Sequence, residues 1–331
     1  MALSAECTSL VFEAVKEESM CKRKLQLAKR RFSEIQLLTS LAQCNKEGET
    51  PLVIAMKRKN VSFIAELVNW ISAGYLKKEC QPLSEKIIEQ LSPHIPVVIK
   101  IIDFHYNKLH FLRFIAGVII KSTSFTRQDK IITLELIGAA IVLSSVPDGQ
   151  IVSHSVLSGL EFWREAMTLR HFPQDGGPSI PKAVCVPSEA FSVVFGSTVE
   201  VMTMEELDVL KEDFLNFSLS DRNVKYLIAK RFKIQAFLTI RRIPILANLR
   251  HPFWLYLINL MDYAKDLLFS PPLARRSPPF ELISAEERKI TINIYLLILE
   301  QLNGFDPNLL SKHSMFYSKH FISWEKPFTK C

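Results

Sequence analysis

The stretch Gly48-Glu-Thr50-Pro51-Leu52-Val-Ile-Ala55, followed by Asn60 and then Phe63, Ile64, Leu67 and Val68, decides how the rest of the chain is read. Thr50 stands where a helix N-cap is needed, its hydroxyl able to accept from a first-turn backbone N–H. Pro51 then falls at the first helical position, where its missing N–H costs nothing. Ala55 lets a neighbouring helix approach closely. The apolar residues from Phe63 to Ile71 recur at a period near 3.6 and predict a second helix over Val61–Ile71. A single pair of short helices cannot cover its own apolar face, so neighbouring helices must pack against it.

The pattern on either side is helical as well. Ser9–Arg31 reads as one or two helices, with Leu10, Ala14, Leu25 and Ala28 on apolar faces, and Phe32–Leu41 continues it. Ser84–Leu91 fits a short helix between prolines, and Ile95–Ile120 is apolar on nearly every face, which predicts deep burial. Thr126–Ser144 and Val156–Arg170 read as antiparallel partners joined by Pro147-Asp-Gly149, a turn sequence. Pro173–Pro187, containing Gly176-Gly177-Pro178, is the clearest loop. Thr203-Met-Glu-Glu206 is a capping box that opens a helix through Phe217. Asp221 can cap a helix to about Ile243, His251-Pro252 introduces another through Leu268, and Ser284-Ala-Glu-Glu287 opens an apolar run over Ile290–Leu302 with Gly304 as its stop. Phe191–Val201 alternates weakly, and no stretch is a convincing strand. The tail from Asp306 has no clean period and reads as poorly ordered.

Composition agrees with packed helices. The chain has 331 residues, 48% of them hydrophobic, and only 10 glycines. It is too apolar for a disordered protein and too poor in glycine for collagen or a low-complexity linker. The expected organisation is a helical region over 1–125, a second helical domain over 126–304 and a tail over 305–331. No segment reaches the roughly 18 uninterrupted apolar residues of a membrane span. The first residues lack the basic and long apolar segments of a secretory signal.

The net charge of +7 is largely local. Lys22, Arg23, Lys24, Lys29, Arg30 and Arg31 fall within ten residues. Such a run can contact phosphates or serve nuclear import. No aromatic residues interleave with it to stack on bases, and the remainder of the chain is nearly neutral, so a solvated helix face is preferred over a nucleic-acid contact. Cys7, Cys21, Cys44, Cys80, Cys185 and Cys331 are scattered, without C-x-x-C spacing or a completing His pair. Free thiols in a reducing compartment are expected, with no metal and no cofactor, and a cytoplasmic or nuclear location.

Sequence motifs for catalysis are thin. The chain has no G-x-S-x-G, no H-E-x-x-H and no Walker loop. Gly176-Gly177 is a lone glycine pair, too weak for phosphate binding. Glu205 and Glu206 suit a helix N-terminus better than acid–base work. A non-catalytic interaction protein is therefore expected.

Two repeat types can be recognised. The stretch from Gly48 to Val68 resembles an ankyrin repeat, whose T-P-L-x-x-A segment leads into a second helix ending in paired apolar residues. Gly138-Ala-Ala opposite Glu161-Phe-Trp163-Arg-Glu-Ala166 is similar to tetratricopeptide packing, in which small side chains seat bulky ones. The expected fold is all-α: an α-solenoid with a degenerate N-terminal ankyrin region followed by a tetratricopeptide-like helical-hairpin region.

The order of the pieces carries a more specific resemblance. Leu10-Val-Phe-Glu-Ala14 precedes Gly48-x-Thr50-Pro51-Leu52. Then come Leu134-Glu-Leu-Ile-Gly138-Ala139, Phe162-Trp163-Arg164-x-Ala166-Met167-x-Leu169-Arg170, Met204-Glu-Glu-Leu207, Ile240-Arg-Arg242-Ile243 and His251-Pro252. This ordered set resembles the feminization-1 (fem) family of ankyrin-repeat proteins, most closely over Leu134–Leu268. The resemblance implies a substrate receptor of a cullin-2 ubiquitin ligase. Such a receptor holds the C-terminal degron of a protein or peptide partner, and a separate box binds the elongin–cullin-2 module. The sequence departs from that pattern. It has one clear ankyrin repeat where the family has an array, Val53 in place of the usual His, and Lys59-Asn60 in place of the usual Gly-His. Leu41-Ala-Gln-Cys44 is one residue too short for an elongin box. A helical scaffold that has lost ligase recruitment is the alternative, with a nucleic-acid contact through residues 22–31 behind it.

Partner-binding residues are expected around the first repeat's turn: Glu47, Glu49, Lys57 and Arg58. Thr50, Pro51, Leu52, Ala55, Gly138, Trp163 and Ala166 are expected to be structural.

Overall fold

The computed structural model describes residues 2–16, 20–58, 60–90, 109–144, 153–172, 176–183, 189–196, 198–217 and 222–243, with 260, 289–290 and 293–294 beside them. Among these residues the chain is all-helical, with no strand. The twelve described helices are α1 (Ala2–Lys16), α2 (Cys21–Arg31), α3 (Glu34–Leu41), α4 (Pro51–Lys57), α5 (Val61–Tyr75), α6 (Gln81–Gln90), α7 (Leu109–Lys121), α8 (Arg127–Ser144), α9 (Ser153–His171), α10 (Glu189–Phe195), α11 (Met204–Phe217) and α12 (Arg222–Arg242). The turn at Pro147–Gly149, the Asp221 cap, the helices anticipated from His251 to Leu268 and after Ser284, and the tail lie outside the described residues, apart from isolated positions.

Short side-chain caps set where the first helices begin. Ser33 and Gln36 form a capping box: the Gln36 N–H donates to Ser33 Oγ at 3.4 Å, and the Ser33 N–H donates to Gln36 Oε1 at 2.9 Å. The box starts α3 afresh and separates it from α2. Thr50 Oγ1 accepts from the Val53 N–H at 3.3 Å to start α4, with Pro51 in its first turn. Asn60 Oδ1 accepts from the Phe63 N–H at 3.0 Å to start α5, and Asn60 Nδ2 donates back to the Val15 carbonyl at the end of α1 at 3.3 Å. One buried asparagine thus ties two helices together.

α1 packs on α2, α3 and α4, and α5 lies against α2, α3, α4 and α6. Cys7, Val11 and Ala14 of α1 and Phe63, Ile64 and Ile71 of α5 are fully buried. Tyr75 at the end of α5 stacks on Phe114 of α7, with centroids 3.8 Å apart. α7 in turn packs on α6 and α8, so one continuous apolar core runs through the described residues. The expected boundary at 125/126 falls in the short connection between α7 and α8.

The second half is organised around α8. Every residue from Thr133 to Leu143 is buried. α9 lies along α8, and α12 covers another of its sides. The α8–α9 approach depends on two glycines. A Cβ on Gly138 would lie 2.5 Å from Trp163 Cδ1 and 2.8 Å from the Gly159 carbonyl. A Cβ on Gly159 would lie 2.6 Å from Val142 Cγ2. α10, α11 and α12 meet through rings: Phe195 tilts on Phe237 at 5.4 Å, and Phe214 meets Phe232 edge-on at 5.3 Å.

The weak alternation over Phe191–Val201 does not survive. Residues Glu189–Phe195 form α10, burying Ala190, Phe191, Val194 and Phe195 on one face, and Gly196 ends it at φ +71°. Helical spacing of the four apolar residues outweighs the partial alternation. In contrast, α11 begins and ends where its capping box and apolar period place it. The Glu206 N–H donates to Thr203 Oγ1 at 3.2 Å, and the Thr203 N–H donates to Glu206 Oε2 at 3.3 Å.

Candidate functional site: a buried ionic network and a surface turn

Glu135 lies in the middle of α8 and is 2% exposed. A lone carboxylate within an apolar helix must be charge-paired or neutral. It is paired twice. Arg170, in the last turn of α9 and 3% exposed, donates from Nε to Glu135 Oε1 at 3.2 Å and from Nη2 to both carboxylate oxygens at 3.1 Å. Arg242, at the end of α12, brings its Nη2 within 2.9 Å of Glu135 Oε2. The Glu135 main-chain carbonyl accepts from Trp163 Nε1 at 3.0 Å, which fixes the indole against Gly138.

Glu200, on the irregular segment before α11, is the second anion. It accepts from Arg242 Nε at 2.8 Å, from Arg242 Nη2 at 3.0 Å and from Thr239 Oγ1 at 3.1 Å. Lys182 Nζ lies 2.8 Å from Glu200 Oε1 and donates to the Val201 carbonyl at 2.6 Å. Arg242 therefore bridges the two carboxylates. Burial works against the Glu200 charge, but the Arg242 hydrogen bonds and the nearby Lys182 outweigh it and hold the carboxyl below its ordinary value. Burial pulls the Lys182 ammonium down, against the pull of Glu200 and Glu135. Arg242 is pushed up despite its burial, chiefly by the Glu200 hydrogen bond and by Glu135.

The network fastens two segments without regular structure onto the helices. Arg170 Nη1 donates to the carbonyls of Ile180 and Pro181, at 3.4 and 3.2 Å, and the Ile180 N–H donates back to the Arg170 carbonyl at 3.0 Å. Arg127 at the start of α8 donates to the Pro178 carbonyl. Gln235 on α12 holds the other segment, accepting from the Val201 N–H at 2.8 Å and donating to the Val199 carbonyl at 2.9 Å. The recess among Glu135, Trp163, Lys182, Glu200 and Thr239 has about 10 Å³, space for one water molecule. Chemically, the arrangement is suited to setting the register of the loops.

The turn expected to bind a partner lies elsewhere, between α3 and α4. Asn45 Oδ1 accepts from the N–H groups of Glu47 and Glu49, at 3.0 and 2.8 Å, and Gly48 sits at φ +76°. Lys57 pairs with Glu49 across the turn. Arg58 donates from Nη1 to the Lys16 carbonyl at 3.1 Å, so it satisfies the end of α1. The structure brings Glu49 and Lys57 together, leaves Glu47 exposed beside them, and draws Arg58 toward a neighbouring helix. Thr50, Pro51, Leu52 and Ala55 are buried, as are Gly138, Trp163 and Ala166.

The basic run forms α2. Its Cys21, Leu25 and Ala28 are buried, while Lys24 pairs with Glu13 and Arg31 with Glu6, both on α1. Among the described residues no group of three His, Cys, Asp or Glu side chains is placed to hold a metal, and no helix is long and apolar enough to cross a membrane. Cys7 and Cys80 are buried, and burial pushes both thiols up; Cys44 is exposed.

The network has almost no local sequence signature, because its partners are 35 and 42 residues apart. The available signal is Glu135 itself, a lone charge inside the apolar run Ile131–Val146. Arg242 and Arg170 were visible within the family-like segments, with no indication that they meet. No protein-family model matches the chain, and no curated protein matches it in sequence.

Proposed function

We propose that this chain is a non-catalytic protein-interaction adaptor, similar to a substrate-recognition subunit of a cullin-2 ubiquitin ligase. The observation that carries the reading is the α4–α5 pair with its adjoining turn. Thr50 and Asn60 cap the two helices, and Asn45 holds the turn in one shape with Glu47, Glu49 and Lys57 beside it. A charged turn held in one conformation at the end of a helix pair loses little entropy when a peptide docks on it. In this reading α4 and α5 are the remnant of an ankyrin repeat, and α8 and α9 are a tetratricopeptide-like hairpin whose Gly138 seats Trp163. Buried charge is consistent with a structural assignment, because Glu135 and Glu200 are committed to Arg170, Arg242 and Lys182.

The test is affinity purification of the tagged full chain from cells, with quantification of co-purifying elongin and cullin-2. Recovery of both is expected. Recovery of neither removes the ligase assignment and leaves a helical scaffold. Replacing Glu47, Glu49 and Lys57 together with alanine is expected to lower recovery of a bound substrate while elongin and cullin-2 are retained.

A further inference from the structure

Two exposed helix faces far apart in the sequence match each other. On α2 the residues opposite the buried stripe of Cys21, Leu25 and Ala28 include Arg23, Leu27 and Arg30, all exposed, with Leu27 at 39%. On α11 the residues opposite the buried Leu207, Leu210 and Phe214 include Glu205, Val209 and Glu212, also exposed, with Val209 at 55%. The arginines are seven residues apart, and so are the glutamates, which is about 10 Å along a helix at 1.5 Å per residue. In each pair an exposed aliphatic residue stands between the charges. The whole α2 sequence carries six Lys and Arg and no acid, whereas α11 carries five Asp and Glu and one Lys.

We propose that two copies of this chain associate by laying α2 of one antiparallel along α11 of the other. In that register Arg23 meets Glu212, Arg30 meets Glu205, and Leu27 covers Val209. Neither arginine is engaged in an ion pair among the described residues, in contrast to Lys24 and Arg31, whose acids lie on α1. Using the contact twice, α2 on α11 and α11 on α2, gives a self-complementary interface that closes at two copies. The net charge of +7 disfavours unspecific association between copies, so the acidic face of α11 is where a second copy is admitted. Exposed charges are screened over about 10 Å at 0.1 M salt, so the association is weak and salt-sensitive. The proposal is independent of the adaptor reading.

The test uses the full chain in sedimentation velocity from micromolar to several hundred micromolar, at low salt and at 0.5 M salt. A concentration-dependent doubling of mass at low salt, lost at high salt, is expected. The double variant Arg23→Glu/Arg30→Glu should be monomeric, and so should Glu205→Arg/Glu212→Arg. An equimolar mixture of the two variants should recover the doubled mass, because both contacts are then complementary again. Circular dichroism confirms that each variant is folded before it is counted. A monomeric wild type over the whole range overturns the proposal. So does a mixture that stays monomeric, or a wild type that remains monomeric yet binds an RNA oligonucleotide or anionic vesicles through Arg23 and Arg30.

Discussion

The two halves of the molecule differ in what their buried polar side chains do. In α1–α6 the capping and ion-pairing side chains sit at helix ends or on the surface. Ser33, Thr50 and Asn60 cap helices within three residues of themselves, and the ion pairs Lys24–Glu13, Arg31–Glu6 and Lys57–Glu49 are solvent-accessible. In α8–α12 exposed pairs such as Arg164–Asp208 and Arg231–Asp213 occur as well, but a further set of charged groups lies inside. Glu135, Arg170, Glu200, Lys182 and Arg242 join three helices and two irregular segments in a place with room for about one water molecule. The first half starts its helices with local interactions and leaves their arrangement to apolar packing and a few neutral hydrogen bonds, such as that from Asn60 to the Val15 carbonyl. The second half uses charge to specify which segment lies where. Buried ion pairs add little net stability compared with apolar packing, but breaking one is costly.

That difference orders the expected effects of mutation. The largest belongs to Glu135→Ala. It strips both Arg170 and Arg242 of a buried counter-charge and should cost about 3–5 kcal/mol, read as a large fall in the denaturation midpoint. The same network has an acid side. Glu200 is held below its ordinary value, so its contribution is present above the unfolded carboxylate range, near pH ~4.3, and is lost as pH falls through the lower folded value. Thermal melts between pH 7 and pH 2 should show this loss, and Glu200→Gln should flatten it. A Gly138→Ala variant comes next. Its Cβ meets both the Trp163 ring and the Gly159 carbonyl, so α9 must shift, at a cost of about 1–3 kcal/mol by calorimetry.

In the first half the effects should be smaller. Thr50→Ala removes one cap bond and should cost about 1 kcal/mol by chemical denaturation. Lys57→Ala breaks an exposed pair and should change stability by less than about 1 kcal/mol. If Lys57→Ala proved as damaging as Glu135→Ala, the contrast between the halves would collapse.

The same contrast explains what could be read from sequence. The helices around Thr50 and Thr203 were legible because a cap and its partner lie three residues apart, and α11 begins and ends where its capping box and apolar period place it. The Ser33–Gln36 box follows the same rule, but helix-compatible residues run through it on both sides, so Phe32–Leu41 reads as a continuation of the preceding helix. The Trp163 seat on Gly138 was partly legible, since small residues opposite a bulky one leave a compositional trace. The ionic network left almost none. Arg170 is 35 residues from Glu135, and Arg242 is 42 from Glu200, so no local spacing announces either pair. Its one trace is an acid where the α8 pattern calls for an aliphatic residue.

The 176–183 segment is held by its main chain at three points and by the Lys182 side chain at a fourth. Arg170 reaches the carbonyls of Ile180 and Pro181, and Arg127 reaches that of Pro178. Carbonyl oxygens are the same whatever residue carries them. Substituting the exposed Pro178 or Pro181 side chain therefore leaves these grips in place, whereas Ile180 also packs on the core and the two arginines carry the hold. The shape of the loop is thus written mainly in two arginines outside it, with Ile180 and Lys182 its own contribution.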